Sequence, residues 1–237
     1  MIVYYRLCSI ASTNPSPIYQ EDKFRLNKLC LKSFVQAFKD VENLEIVFLA
    51  DYCGEREEEM IKDLCNPFNF SFPIKYTYLP LSLGINETAL KQWELASKQD
   101  DEIILFLECD YLWNPDIDVN TYIEAVKTLG LVSPYDHPNF YRLRELHSKE
   151  CEIELVSDYH FRSVERNTLT FGLRKDVLLA NLDIFNKYGY LDGDTWYEIK
   201  ARGQNLYVPI PSFATHMVVD NLAPGIDWEK IWTTQTS

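Results

Sequence analysis

Apolar positions along the chain switch repeatedly between strand-like runs and helical spacing. Residues 2–8 are rich in β-formers and run into a Ser/Thr/Asn/Pro loop at 9–17, which predicts a buried strand that ends in a polar loop. Phe24, Leu26, Leu29, Leu31, Phe34, Val35 and Phe38 then recur with helical periodicity, predicting a helix near 21–39. The unbroken apolar run 45–50 closes on Asp51 and suits a parallel strand covered on both faces. A polar helix near 55–65, an extended segment at 75–81 and a helix near 86–98 follow. The most apolar strand, 103–107, ends in Glu108-Cys109-Asp110. This alternation predicts an α/β fold with a doubly wound, mostly parallel sheet. Beyond Pro134 the pattern loosens into strands near 131–134, 153–157 and 168–173, helices near 176–187 and 193–203, and an extended stretch at 206–209. The expectation is a Rossmann-like nucleotide-binding first half carrying a mixed second half.

Composition narrows this picture. The chain has 237 residues, 46% hydrophobic and 14% aromatic, enough to bury a sizeable core. No Gly/Ser linker, low-complexity stretch or internal repeat divides it, so one domain over 1–237 is expected. No apolar run approaches the roughly 20 residues of a membrane span, and residues 2–8 are too short and polar for a signal peptide. A cytoplasmic location with six reduced cysteines is the resulting expectation. The net charge of −13 repels phosphate backbones and argues against a nucleic-acid partner. An acidic chain that binds a diphosphate needs a local positive centre, and a divalent metal is the usual one.

Ligands of open α/β sheets sit outside the carboxyl ends of the strands. Residues 9–14 with Ser9, Asp51, and the segment 108–110 all fall there. Glu108 and Asp110, two residues apart where a strand breaks up, can both reach one hard cation; a solvated acidic strand end is the plainer alternative. His216 can add a ligand that favours Mn²⁺ over Mg²⁺, although a lone histidine is more often structural. Asp192-Gly193-Asp194 opens a helical stretch, where carboxylates serve as caps or, functionally, as a general base for an acceptor hydroxyl. Asp51 suits recognition of a uracil or guanine edge. Tyr135-Asp136-His137-Pro138 reads as a turn with sugar-binding polar groups in Asp136 and His137. Arg142, Arg144, Arg162, Arg166, Arg174 and Lys175 are spread, and read mainly as solvated charges.

Taken in order, these features resemble GT-A glycosyltransferases of the family 2 type. The carriers are Asp51, the stretch Leu83-Gly84-Ile85-Asn86-Glu87-Thr88-Ala89-Leu90 with its helix, and the strand ending at Asp110. A closer resemblance is to a small bacterial and viral branch, through Glu108-Cys109-Asp110-Tyr111-Leu112, Tyr135-Asp136-His137-Pro138, and Thr215-His216 followed by Asp227-Trp228-Glu229. The resemblance implies a nucleotide-sugar donor half at 1–112 and an acceptor half at 113–237. It implies Asp110, Glu108 and His216 as ligands of Mn²⁺ or Mg²⁺, with Ser9, Asp51, Glu108, Asp110, Asp136 and His137 around the donor. Asp194 is the matched catalytic base and Asp192 its reserve. Cys109 and Gly193 depart from the family pattern, each replacing an acid. The implied reaction moves a hexosyl or pentosyl group, with inversion, from a UDP-sugar (or a GDP-sugar) to a glycan or other hydroxyl acceptor, as in polysaccharide synthesis. A catalytically silent nucleotide-sugar binder is the alternative. A nucleotidylyltransferase is disfavoured because residues 8–20 hold no glycine-rich loop.

Overall fold

Strand β1 (Ile2–Cys8) is apolar on both faces because both are covered: it lies between β2 (Glu45–Asp51) and β4 (Ile103–Glu108), parallel to each. The computed structural model that shows this describes residues 1–11, 13–143 and 150–236. Outside β2 runs β3 (Lys75–Leu81), also parallel. On the other flank the sense reverses, since β9 (Phe171–Arg174) is antiparallel to β4. Next come β6 (Leu131–Val132), β10 (Leu206–Ile210), β8 (Tyr159–Val164) and β7 (Ile153–Val156), completing a mixed sheet of nine strands in the order β3-β2-β1-β4-β9-β6-β10-β8-β7. A separate ribbon pairs β5 (Tyr111–Trp113) with β11 (Ala214–His216), antiparallel.

Helices cover both faces, giving a mixed α/β fold of three layers. Val3, Tyr5 and Leu7 of β1 point into one core layer, beneath α1 (Lys23–Phe38), α2 (Glu55–Leu64), α4 (Val119–Leu129) and α9 (Trp228–Thr236). Ile2 and Tyr4 point into the other, beneath α3 (Ile85–Ser97), α6 (Lys175–Ala180), α7 (Leu182–Tyr188) and α8 (Asp192–Ala201). Between β6 and β7 lies the short α5 (Asn139–Arg142). Aromatic packing dominates the second layer: Trp93 meets Phe106 edge-on at 4.4 Å and Phe185 at 4.8 Å, and Phe171 meets Trp196 at 4.8 Å.

The parallel half agrees with its sequence pattern. The second half departs at definite points. The single helix expected near 176–187 is two, because Asn181 leaves helical geometry and its side-chain amide donates to the Val177 carbonyl at 3.0 Å. Helix α4 was not expected, although Asp118 caps it by accepting from the Asn120 amide and Gly130 ends it at φ +85°. All six cysteines are free thiols, three of them buried. Among the described residues no helix is long and apolar enough to cross a membrane.

Candidate active site

The carboxyl ends of β1, β2 and β4 open into a cleft of about 340 Å³, lined by Arg6, Cys8, Lys23, Tyr52, Thr88 and Asp110, among others. Its edges are fixed by side chains spent on the backbone. Both Asp51 carboxylate oxygens are buried and accept from the amides of Leu83 (2.9 Å) and Gly84 (3.0 Å), pinning the turn before α3 to the end of β2. That turn needs Gly84, whose φ is +92°. Ser9 donates to the Tyr52 carbonyl and so ties the loops after β1 and β2 together. Asp51 and Ser9 thus shape the cleft wall, and in Asp51 the expected base-reading carboxylate is engaged with its own chain.

At the cleft floor stands Asp110. The β5–β11 ribbon brings it to His216: Thr215 pairs with Leu112, His216 pairs with Tyr111, and the Met217 amide donates to the Asp110 carbonyl at 2.8 Å. The His216 ring stacks on Tyr111 at 4.9 Å, and its Nε2 lies 3.5 Å from Asp110 Oδ2. Lys23, the first residue of α1, places its buried Nζ 3.8 Å from the same oxygen. Burial opposes the charge on Asp110, but the His216 imidazolium and the Lys23 ammonium outweigh it and hold the carboxyl well below its usual range. The converse applies to His216: burial pulls it down, and the charge of Asp110 more than compensates and raises it.

Glu108 does not join this pair. Its Oε1 accepts from Arg6 at 2.6 Å and its Oε2 from the Thr170 hydroxyl at 3.3 Å. Among the described residues no group of three His, Cys, Asp or Glu side chains is gathered closely enough to hold a metal ion. Of the expected metal ligands Glu108, Asp110 and His216, the structure brings Asp110 and His216 together and gives Glu108 to Arg6 of β1.

A second cleft of about 220 Å³ opens beside the first, lined by His137, Asn139, Phe140, Arg166, Asn167, Thr168, Asp192 and Gly193. Loop 165–170 is held firmly: the Asn167 amide donates to the Tyr135 carbonyl at 2.6 Å, Tyr111 donates to the Thr168 hydroxyl at 2.6 Å, and the Glu108 amide donates to Thr170 Oγ1 at 3.2 Å. Asp192 stands in the first turn of α8. Water reaches it through the cleft, yet the crowding walls and the Glu108 charge push its carboxyl up to about 6, against the pull of Arg6 and His216. Asp194 is exposed in the same turn, one residue past the cleft-lining Gly193. His137 Nδ1 accepts from the Asn139 amide at 3.1 Å, and burial, reinforced by His216 and Arg166, lowers the ring to about 4.

Asp136, expected to bind donor, is turned inward: it is buried and accepts from Arg162 and the Tyr141 hydroxyl at 2.5 Å each. Arg162 is correspondingly a half-buried strut, not a solvated charge. Arg174 pairs with Asp176 at 3.0 Å, Lys175 donates to the carbonyls of Ala96 and Ser97, and Arg142 donates to the Asp220 carbonyl. Arg144 lies outside the described residues. Sequence reasoning missed Arg6, Lys23 and Thr88. A charge inside an apolar strand was the available signal for Arg6, and a lysine opening the helix after the first loop was the signal for Lys23.

No family model matches the sequence, and neither does any curated protein. Similar solved structures include the 4-diphosphocytidyl-2C-methyl-D-erythritol synthase of Anaerococcus prevotii (13% identity, TM-score 0.46, 99% of this chain and 95% of that one). Galactosyltransferase LgtC in complex with donor and acceptor sugar analogs is another (11%, TM-score 0.47, 88% and 73%). A third is the CMP:2-keto-3-deoxy-manno-octonic acid synthetase complexed with CTP (12%, TM-score 0.47, 99% and 98%).

Proposed function

We propose that the chain is a glycosyltransferase of GT-A architecture that takes its sugar from a nucleotide diphosphate. One observation carries the reading: a nucleotide-sized cleft at the strand ends runs to Asp110, which stands between Lys23 and His216, and a carboxylate suited to proton abstraction lines the neighbouring cleft. The nucleoside occupies the larger cleft, against Tyr52 and Thr88. Thr88 lines that wall. The diphosphate lies over Lys23 and Asp110, with Arg6 at the floor. Asp110 and His216 would hold Mn²⁺ or Mg²⁺, whose chemistry when bound is to offset charge on the departing diphosphate. Asp192 takes the proton of the acceptor hydroxyl. Its raised carboxyl is better matched to that task near neutrality than an unperturbed one. A UDP-sugar is the favoured donor and a GDP-sugar the other candidate, both by the sequence resemblance.

Calorimetry with UDP, GDP, CTP and the common UDP- and GDP-sugars, each with and without Mn²⁺, tests the reading. Metal-enhanced binding of one nucleoside diphosphate family, lost as enhancement but not as fold in Asp110→Ala, is the expected result. No heat with any diphosphate sugar would sink it, and preference for CTP would move the reading to nucleotidyl transfer.

A further inference from the structure

The smaller cleft carries an unusual balance of groups for so acidic a protein. Arg166 lies on its wall, and among the described residues no carboxylate is within ion-pairing distance of it: neighbouring Glu165 pairs with Lys200, and Arg162 takes Asp136. Its loop cannot easily swing away, being fastened on its far side through Asn167, Thr168 and Thr170. Beside it, His137 uses Nδ1 to accept from the Asn139 amide, so the hydrogen of the neutral ring sits on Nε2 and is available to donate. Thr168 accepts from Tyr111, which leaves its own hydroxyl hydrogen free to donate. Three donors, one of them a full positive charge, thus share the cleft with a single acidic side chain, Asp192.

We propose that this cleft receives a small hydroxylated anion as acceptor: a molecule of about one sugar ring or one short polyol, with a carboxylate or phosphate group seated on Arg166 and its reacting hydroxyl turned to Asp192. The anion is the part argued from the cleft; the reacting hydroxyl rests on the transferase reading above. Size supports the class. The cleft, about 220 Å³ and open to solvent, has room for one sugar ring or a short polyol. A guanidinium is also the side chain best shaped for a planar or tetrahedral oxyanion, through paired N–H donors.

Ligand-observed NMR on the whole chain, with glucose, glucuronate, glycerol, glycerol 3-phosphate and inorganic phosphate as probes, decides the matter. At least one organic anion is expected to bind about tenfold more tightly than its neutral counterpart, equivalent to about 1.4 kcal/mol. Arg166→Gln should erase that ratio, and Arg166→Lys should keep part of it. Whether glucuronate or glycerol 3-phosphate shows the ratio separates a carboxylate from a phosphate acceptor. Equal binding of neutral and charged probes in both pairs, an anion preference that survives Arg166→Gln, or a preference confined to glycerol 3-phosphate that inorganic phosphate matches would each overturn the proposal. UDP titrations run alongside report the larger cleft by itself. Failure of the transferase reading would appear there, while failure of this one would appear only with the small anions.

Discussion

Asp192 and Asp194 sit two residues apart in one helical turn, and only Asp192 lines the smaller cleft. Asp192 faces the cleft and is crowded there by protein and by the Glu108 charge; Asp194 faces solvent. A carboxyl raised to about 6 is protonated and inert as a base in mild acid. Transfer is therefore expected to increase as pH rises through about 6 and then to level off, in contrast to the limb near 4 that an unperturbed carboxylate would give. Asp192→Asn should lower kcat by roughly 10²–10⁴ and remove the limb, with nucleotide still bound. A pH–rate profile of the wild type and both Asp→Asn variants checks this; a profile abolished by Asp194→Asn alone would return the role to Asp194. Because the folded state prefers neutral Asp192, its contribution to stability is present below about 4 and is lost as pH rises through about 6.

Secondary elements hold these residues in place through close contact. Gly189 ends α7 where a Cβ would stand 2.3 Å from both the Phe185 carbonyl oxygen and Trp93 Nε1. Backbone and a fully buried indole leave no room to yield. Gly189→Ala is expected to cost about 1–3 kcal/mol, read as a lower midpoint in urea at unchanged slope. That constraint was invisible in the sequence, where 176–187 read as one apolar periodic stretch. The parallel half was legible because strands buried on both faces announce themselves as unbroken apolar runs. Its candidate site residues were placed by position alone: Asp51, Glu108 and Asp110 all line the cleft, but Asp51 is taken by the Leu83 and Gly84 amides, Glu108 by Arg6, and Asp110 by Lys23 and His216. Which partner takes a carboxylate depends on contacts between distant segments, such as Arg6 with Glu108, and no local pattern encodes them. Arg166 was hidden in the same way, as one of several scattered basic residues until the fold gave partners to most of the others.

Across the whole molecule, the two halves expected from the resemblance share one sheet. Strand β4, last in the proposed donor half, is hydrogen-bonded to β9 in the other half, and Lys32 of α1 donates to the Gln235 carbonyl of α9 at 2.6 Å. A fragment of residues 1–112 would expose one edge of β4 and lose Trp228 from the layer over α1. It is expected to lack a cooperative thermal transition, which calorimetry would detect; a sharp transition would establish the donor half as an independent folding unit. The same continuity bears on how such a protein can change over evolutionary time. Asp110 and His216 owe their meeting to a ribbon of three residue pairs, not to the length of chain that runs between them. Insertions in the exposed loops of that intervening stretch leave the register of the ribbon as it is, so long as Pro134, whose carbonyl accepts from the Phe213 and Ala214 amides, keeps its place. The loops of that stretch can therefore drift while the pair at the cleft floor is inherited intact.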